Sequence, residues 1–167
     1  DGHPESFQLE ASGRRVFANL PGLLSSQVIV GDRERGEVVA RWSSLGCRSN
    51  YPLALDETMA WVLIGCRMPA RLVALDDRSG DVLTSVDVVG DTDDLFFDPS
   101  RQRIYVIGGE GYVDVLQRRG DVIERTVRVT TRAGARTGLW VASTGKLYVA
   151  VPARDGQVAE VRVFEAR

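Results

Sequence analysis

The stretch LFFDPSRQRIYVIGG, residues 95–109, contains the pattern that decides the fold. It is a short apolar strand, a polar turn and a second apolar strand, which is typical of a β-hairpin. Three further stretches of the chain align with it, and together the four predict a repeat protein. They are FQLEASGRRVFANLP (7–21), LALDETMAWVLIGCR (53–67) and LWVASTGKLYVAVP (139–152).

An aromatic residue recurs in the second strand of the four units, at intervals of 44, 44 and 43 residues. We expect these aromatics to occupy matching places and to pack in the core. A β-sandwich also explains short strands, but it does not explain a recurrence of this length. Units of about 40–50 residues with four strands each are typical of propeller blades. The aromatics are Phe17, Trp61, Tyr105 and Tyr148.

A second hairpin follows in the first three units. Its turn contains Gly36, Gly80 or Gly120, each followed by an acidic residue and valine. Glycine adopts the positive φ that a tight hairpin turn requires, so these positions predict turns. The third strands are expected at QVIVG (27–31), RLVAL (71–75), YVDVL (112–116) and EVRVF (160–164), and the outer strands at 37–42, 81–88 and 121–129.

These patterns predict an all-β fold, a β-propeller of four blade-like repeats of four antiparallel strands in a single domain, residues 1–167. The last repeat ends after its third strand, so its outer strand is missing and the ring is open. We expect half of a larger ring, completed by a second copy of the chain or by missing N-terminal blades, with an unpaired, associating edge at 160–164. The repeats span about 5–46, 51–90, 93–131 and 137–167.

The repeats resemble the YVTN-type β-propeller repeat family of bacteria, whose members are often exported. The segments that carry the resemblance are GRRVFAN (13–19), LVALDD (72–77), RQRIYVIGG (101–109) and GKLYVAV (145–151). It covers about residues 5–165, although no unit contains the literal tetrapeptide. The resemblance implies a propeller fold and favours a periplasmic or extracellular protein. It transfers no catalytic motif to this chain.

Composition excludes several classes of protein. The chain has 167 residues, of which 44% are hydrophobic and 26% charged, enough for one domain with a core. The net charge of -2 is not that of a nucleic-acid-binding surface, so no nucleic-acid partner is expected. No run reaches the roughly 18 apolar residues of a membrane span. The single histidine, His3, excludes zinc sites that need two histidines.

Candidate ligand-binding residues follow from the propeller geometry. The loops that enter the inner strands converge on one mouth of the central channel, together with the loops that follow the second strands. Loops held on such a scaffold commonly carry binding residues. The candidates are His3, Glu5, Asn50, Arg67, Asp93, Asp94, Glu110 and Arg136.

Each group of candidate residues at the mouth allows two interpretations. His3 is either a metal ligand or general base, or a frayed residue near the terminus. The acidic run at Asp91, Asp93 and Asp94 either binds a hard cation or is a solvated turn. The arginines of the mouth either bind an anionic ligand or pair with the loop aspartates. No cofactor is predicted, and Ca²⁺ is the divalent cation that the acidic run would suit.

Cys47 and Cys66 lie at the same end of the second unit, 19 residues apart. They form either one disulfide or two buried free thiols. A disulfide would favour an oxidising compartment.

The expected function is a non-catalytic propeller scaffold that binds a small ligand or a protein partner at the channel mouth. The alternative is a metal-dependent, lactonase-like hydrolase that uses Glu5, Asp93, Asp94 and Glu110 on a divalent ion. A Ser–His–Asp triad would have to use His3, next to the start of the sequence.

Overall fold

The computed structural model describes residues 3–11 and 13–166, and within them the regular structure consists of β-strands. The first sheet contains β1 (Phe7–Leu9), β2 (Arg15–Leu20), β3 (Gln27–Asp32) and β4 (Glu37–Trp42). The second contains β5 (Arg48–Asp56), β6 (Trp61–Met68), β7 (Ala70–Asp76) and β8 (Val82–Asp87). The third contains β9 (Thr92–Asp98), β10 (Arg103–Gly108), β11 (Tyr112–Arg119) and β12 (Val122–Thr130). The fourth contains β13 (Thr137–Val141), β14 (Lys146–Val151) and β15 (Glu160–Glu165).

Each sheet is an antiparallel meander whose strands are neighbours in the order of the chain. The first three sheets have four strands and the fourth has three, so the predicted all-β fold with an incomplete last repeat is confirmed. The sheets span residues 7–42, 48–87, 92–130 and 137–165. The repeats predicted from the sequence span about 5–46, 51–90, 93–131 and 137–167. We refer to the four sheets below as blades one to four.

Three apolar clusters join consecutive blades. Phe17 and Val28 of blade one pack with Ile64 of blade two, and further clusters join blades two and three and blades three and four. Within the described residues no such cluster joins blade four to blade one. Each fully buried side chain of this size contributes roughly 1.5–3 kcal/mol. The blades are therefore held in sequence, and the outward faces of blades one and four have no covering blade.

The inner strands of all four blades lie along one side of a channel. A cavity of about 220 Å³ inside it is lined by residues of every blade, including Gln8, Leu55, Phe97 and Trp140. Because side chains alternate along a strand, each inner strand directs every second residue to a neighbouring blade. The channel therefore lies where the blades converge.

The prediction that the four aromatics occupy matching places is wrong for Trp61. In every blade the first residue of the second strand faces a residue of the third strand, and these first pairs are equivalent between blades. They are Arg15–Asp32, Trp61–Asp76, Arg103–Gln117 and Lys146–Glu165. Two residues further along β6 stands Leu63, at the place that Phe17, Tyr105 and Tyr148 hold in their blades. The connection between the second and third strands differs in length between blades: it is residues 21–26 in blade one, residue 69 in blade two and residues 109–111 in blade three, so equal spacing in sequence does not give equal places in the blades.

The glycines predicted in the outer hairpin turns have positive φ, +67° at Gly36, +77° at Gly80 and +59° at Gly120. In the second blade Asp76 supports the turn, because its carboxylate accepts the backbone N–H groups of Arg78 and Ser79. These bonds, above all the one from Ser79, lower the pKa of Asp76. The turn chemistry is thus local, which is why the sequence identifies it.

Strand β15 has one free edge. Among the described residues it pairs with β14, and the place that an outer strand takes in the other blades is open. A groove of about 910 Å³ runs beside this edge, lined by Val127 and Val129 of β12 and by Val163 and Phe164 of β15. The edge predicted at 160–164 is therefore present.

Cys47 and Cys66 are joined by a disulfide, with Cα atoms 6.1 Å apart. Cys66 is fully buried in the cluster between blades one and two. Of the two alternatives left by the sequence, the structure contains the disulfide. In the part of the chain that the structure describes, no helix has the length and apolar character needed to cross a bilayer.

Candidate functional site

A polar pocket of about 300 Å³ lies at the mouth of the channel. Each blade begins at this mouth, so each contributes to the lining. The lining residues are Glu5 and Ser6 ahead of β1, Tyr51 on β5, Asp93 and Asp94 on β9, and Thr137 at the start of β13. We call this set the mouth pocket.

Beside the mouth pocket two arginines and two aspartates form a closed arrangement of charges. Asp91 contacts Arg67 at 3.2 Å and Arg136 at 2.9 Å. Asp93 contacts Arg67, and its other oxygen lies 2.7 Å from Nε of Arg136. Each carboxylate therefore bridges both guanidinium groups, and the four charges balance. This arrangement corresponds to the ion-pairing interpretation of the arginines.

The same arrangement ties three blades together. Arg67 lies on β6 of blade two, Asp93 lies on β9 of blade three, and Arg136 lies in the connection to blade four. Arg67 also donates from Nε to the carbonyl of Thr92 at 3.1 Å, and its guanidinium stacks 3.8 Å from the ring centre of Tyr51. A stacked, multiply bonded arginine of this kind holds a fixed geometry. It therefore orients Tyr51 at the edge of the mouth pocket.

Asp94 and Glu5 are the lining carboxylates with no arginine partner among the described residues, and Asp94 is the more buried of the two. Asp94 accepts the backbone N–H of Gly138 at 2.6 Å, which links blade three to blade four. Burial raises the pKa of Asp94, and the neighbouring charge of Asp93 raises it further, against the opposing effect of the Gly138 hydrogen bond. Ionisation of Asp94 therefore has an energetic cost, which a bound cation would offset.

His3 and Glu5 are exposed in the segment that precedes β1. The backbone N–H of Glu5 donates to the carbonyl of Asn19 at 3.1 Å, which holds this segment against blade one. Its carboxylate borders the mouth pocket, whereas His3 is not part of the lining.

Asn50 and Glu110 lie outside the mouth pocket. Asn50 is fully buried, and its Nδ2 donates to Oδ1 of Asn19 and to the carbonyl of Gln27, both at 2.9 Å. Glu110 accepts the backbone N–H of Gly90 at 3.0 Å. Asn50 thus connects β5 to β2 and β3, Glu110 connects the turn after β10 to the segment before β9, and neither side chain lines the mouth pocket.

Three lining residues, Ser6, Tyr51 and Thr137, are absent from the candidates selected from the sequence. Tyr51 and Thr137 belong to the loops expected at the mouth, but their uncharged side chains carry no distinctive signal. Ser6 precedes β1, where no motif marks it. Placement in the fold identifies these residues.

No group of three or more His, Cys, Asp or Glu side chains able to hold a metal ion occurs within residues 3–11 and 13–166. The carboxylates of Asp91 and Asp93 are engaged with arginines, as described above. The fit of the acidic run to Ca²⁺ is correspondingly poor.

Comparison with solved structures identifies the fold class. The chain matches the β-propeller domain of a Myceliophteria thermophila protein with a TM-score of 0.68 at 12% sequence identity, covering 99% of this chain and 53% of that one. A chain of Kuenenia stuttgartiensis hydrazine synthase matches with a TM-score of 0.82 at 14% identity, covering 97% and 46%. A putative 6-phosphogluconolactonase from Bacteroides uniformis matches with a TM-score of 0.71 at 13% identity, covering 95% and 52%.

The protein is thus a β-propeller, as predicted, and it spans about half the length of these structures. Identities of this size show the fold alone. No protein-family model and no curated protein sequence matches the chain.

Proposed function

We propose that the chain is a non-catalytic β-propeller scaffold that binds a cationic group, from a small ligand or from a protein partner, in the mouth pocket. The observation that carries the proposal is the pocket itself, to which all four blades contribute polar side chains. Concave sites with a few convergent polar groups are the usual places of recognition on such scaffolds.

The charges around the mouth pocket favour a cationic ligand. Asp91 and Asp93 are balanced by Arg67 and Arg136, so the arginines have little capacity for an added anion. Glu5 and Asp94 retain uncompensated carboxylates at the pocket. An ammonium or guanidinium group entering the pocket gains charge-assisted hydrogen bonds to these two residues.

Further blades complete the ring in this proposal. The chain corresponds to about half of the propellers that it resembles, and blades one and four each have an outward face without a cluster to cover it. The repeat pattern favours the YVTN-type family for the complete protein. The disulfide between Cys47 and Cys66 supports a periplasmic or extracellular location, because disulfides persist in oxidising compartments.

The hydrolase alternative has one supporting observation, the likeness to a putative 6-phosphogluconolactonase. The engagement of Asp93 with two arginines weighs against a role for it as a metal ligand, so we prefer binding to catalysis. Incubation of the protein with simple lactones and Ca²⁺, Mg²⁺ or Mn²⁺ tests the alternative directly. Turnover that disappears in an Asp94→Asn variant would replace the scaffold proposal.

The binding proposal is tested by NMR titration of the ¹⁵N-labelled protein with butylamine, N-acetyl-lysine amide and, as a matched anion, acetate. The two cations are expected to shift the backbone signals of Ser6, Asp94 and Thr137, and acetate is expected to leave them unchanged. In an E5Q/D94N variant the affinity for the cations is expected to fall about tenfold or more, because the charge-assisted hydrogen bonds to the two carboxylates are lost.

The matched control is Glu124→Gln, which removes an exposed carboxylate on the outer strand of blade three. It is expected to bind the cations as the wild type does. Equal shifts with acetate, or shifts that persist in E5Q/D94N, would contradict the proposal.

A further inference from the structure

The connection between β2 and β3, residues 21–26, presents two apolar side chains to solvent. Because β1 begins at the mouth and β2 runs antiparallel to it, this connection lies at the mouth end of blade one. Leu24 is 91% exposed and Leu23 68% exposed, and Leu24 is the most exposed large apolar side chain among the described residues. The corresponding connections of blades two and three are shorter and contain no leucine. We call Leu23 and Leu24 the leucine pair.

The loop that carries the leucine pair is fastened over the joint between blades one and two. The carbonyl of Gly22 accepts the backbone N–H of Ser49 at 3.2 Å. The carbonyl of Leu23 accepts Nη1 of Arg48 at 3.3 Å. Ser26 is 3% exposed, and its hydroxyl donates to the carbonyl of Gly22 at 3.0 Å and accepts the N–H of Ser49 at 2.7 Å. The base of the loop is therefore fixed, which lowers the entropic cost of binding at its tip.

The leucine pair lies beside the mouth pocket. Asn19, two residues before the loop, donates its backbone N–H to the carbonyl of Ser6 at 2.8 Å and accepts the N–H of Glu5 at 3.1 Å. Ser6 and Glu5 both line the pocket. Ser49, which the loop contacts, is two residues before Tyr51 of the lining. Since an extended residue spans roughly 3.3 Å, the leucine pair and the pocket are on the order of 10 Å apart.

The two neighbouring surfaces differ in chemical character. Glu5 and Asp94 give the mouth pocket negative charge that no arginine among the described residues balances, whereas the leucine pair is apolar. A small cation uses the pocket alone. A protein segment with a basic and an apolar side chain a few residues apart uses both surfaces. Leucines on a loop also suit a lipid surface, but the carboxylates beside them disfavour the anionic membranes that attract such loops.

From these surfaces we infer that the ligand is a protein partner, which places a lysine or arginine of an extended segment in the mouth pocket and an apolar side chain, two or three residues away, on the leucine pair. The inference rests on the proposed cation-binding function and narrows its ligand to a protein. The leucine pair is then a second anchor, because apolar side chains that become buried in an interface dominate its affinity.

The experiment compares the binding of three acetylated, amidated tetrapeptides to the ¹⁵N,¹³C-labelled 167-residue chain by NMR titration. The first has lysine and leucine at its two ends with two glycines between them, the second has the reverse order, and the third has glycine in place of leucine. In one of the two orders, the lysine–leucine peptide is expected to bind about tenfold more tightly than the lysine–glycine peptide, because its leucine is partly buried. A filtered NOE experiment is expected to detect contacts between its leucine methyl groups and those of the leucine pair.

The variant L23S/L24S is expected to bind all three peptides with the affinity that the wild type has for the lysine–glycine peptide. Its thermal unfolding is expected to be unchanged, since both side chains are exposed. The matched control is Val122→Ser, because Val122 is 53% exposed and begins β12, at the end of blade three away from the mouth. This control is expected to retain the tenfold preference.

Equal affinity of the wild type for the three peptides, or a leucine preference that persists in L23S/L24S, would overturn the inference and leave the proposed cation binding intact. No shifts with any of the three peptides would overturn both. Sedimentation of the wild type with phosphatidylcholine or phosphatidylglycerol vesicles, lost in L23S/L24S, would overturn the inference by assigning the leucine pair to a membrane surface.

Discussion

Gly80 lies directly beneath the indole ring of Trp42, so closely that a Cβ atom at position 80 would be 2.2 Å from the ring. The contact joins the outer strand of blade one to the outer hairpin turn of blade two. Gly80 also has a φ of +77°, which L side chains rarely adopt. One position therefore meets two requirements, a turn conformation and a close approach between blades.

Gly80→Ala is expected to destabilise the protein more than the same change in the other outer turns. Gly36 and Gly120 share the positive φ, but nothing lies within 4 Å of a Cβ at either place. The backbone conformation costs alanine about 1–2 kcal/mol at all three positions, and overpacking against Trp42 adds about 1–3 kcal/mol at Gly80. Urea unfolding of the three variants measures the difference. Equal losses at all three positions would show that the indole moves aside.

The outer turns also show which parts of the fold the sequence reveals. Gly36, Gly80 and Gly120 are recognisable because a turn depends on a few adjacent residues. The displacement of Trp61 from the expected register was not predictable from spacing, because the connections between strands differ in length from blade to blade while the strand pairing stays the same. Regular spacing therefore indicates the number of blades better than it indicates equivalent residues.

The mouth pocket shows what the sequence does not reveal. The segments that form it follow from the order of strands, and Glu5 ahead of β1 and Asp93 and Asp94 at the start of β9 do line it. The burial of Asn50 and the pairing of Arg67 with Asp93 depend on residues from other blades. Sequence patterns indicate which charges reach the mouth, but not which of them neutralise each other.

Removal of the disulfide is expected to cost about 2–4 kcal/mol of unfolding free energy. The crosslink joins Cys47 to Cys66, which are 19 positions apart in sequence, and so restricts the unfolded chain. Guanidinium unfolding with and without a thiol reductant measures the loss in the wild type. A C47A/C66A variant serves as the control, since the reductant is expected to leave its stability unchanged. A wild type insensitive to reductant would contradict the prediction.

Asp94→Asn is expected to stabilise the protein at neutral pH. Burial raises the pKa of Asp94 in the folded protein, so ionisation costs stability as the pH rises through that folded value. Asparagine retains an oxygen for the Gly138 N–H and carries no charge. The gain is therefore expected at pH 7.5 and is expected to shrink as the pH falls to the range of an ordinary aspartate.

Thermal unfolding of wild type and variant between pH 4 and pH 8 provides the comparison for Asp94. Asp121→Asn, at an exposed turn position, is the control that isolates burial from the mere loss of a carboxylate. A gain that is constant across the pH range would assign the effect to a cause other than the titration of Asp94. The same variant is expected to bind cations more weakly, so stability and binding oppose each other at this residue.

The buried ion pair between Asp56 and Arg118 is expected to couple blades two and three strongly. Their side chains are 0% and 3% exposed, and Oδ2 of Asp56 lies 2.6 Å from Nε of Arg118. Arg118→Ala leaves the carboxylate buried without its cation, at an expected cost of about 3–5 kcal/mol. A double-mutant cycle with Asp56→Ala isolates the coupling between the two groups from the packing lost at each.

The pair of Arg71 and Asp87 is the matched comparison, because its N–O distance is 3.0 Å but the aspartate side chain is 80% exposed. Its coupling is expected to stay below about 1 kcal/mol, since solvent screens exposed pairs. The two ion pairs differ in burial and in position in the fold, but their N–O distances are similar. Similar coupling in both cycles would mean that water reaches the Asp56 site, and the joint between blades two and three would then depend on its apolar cluster alone.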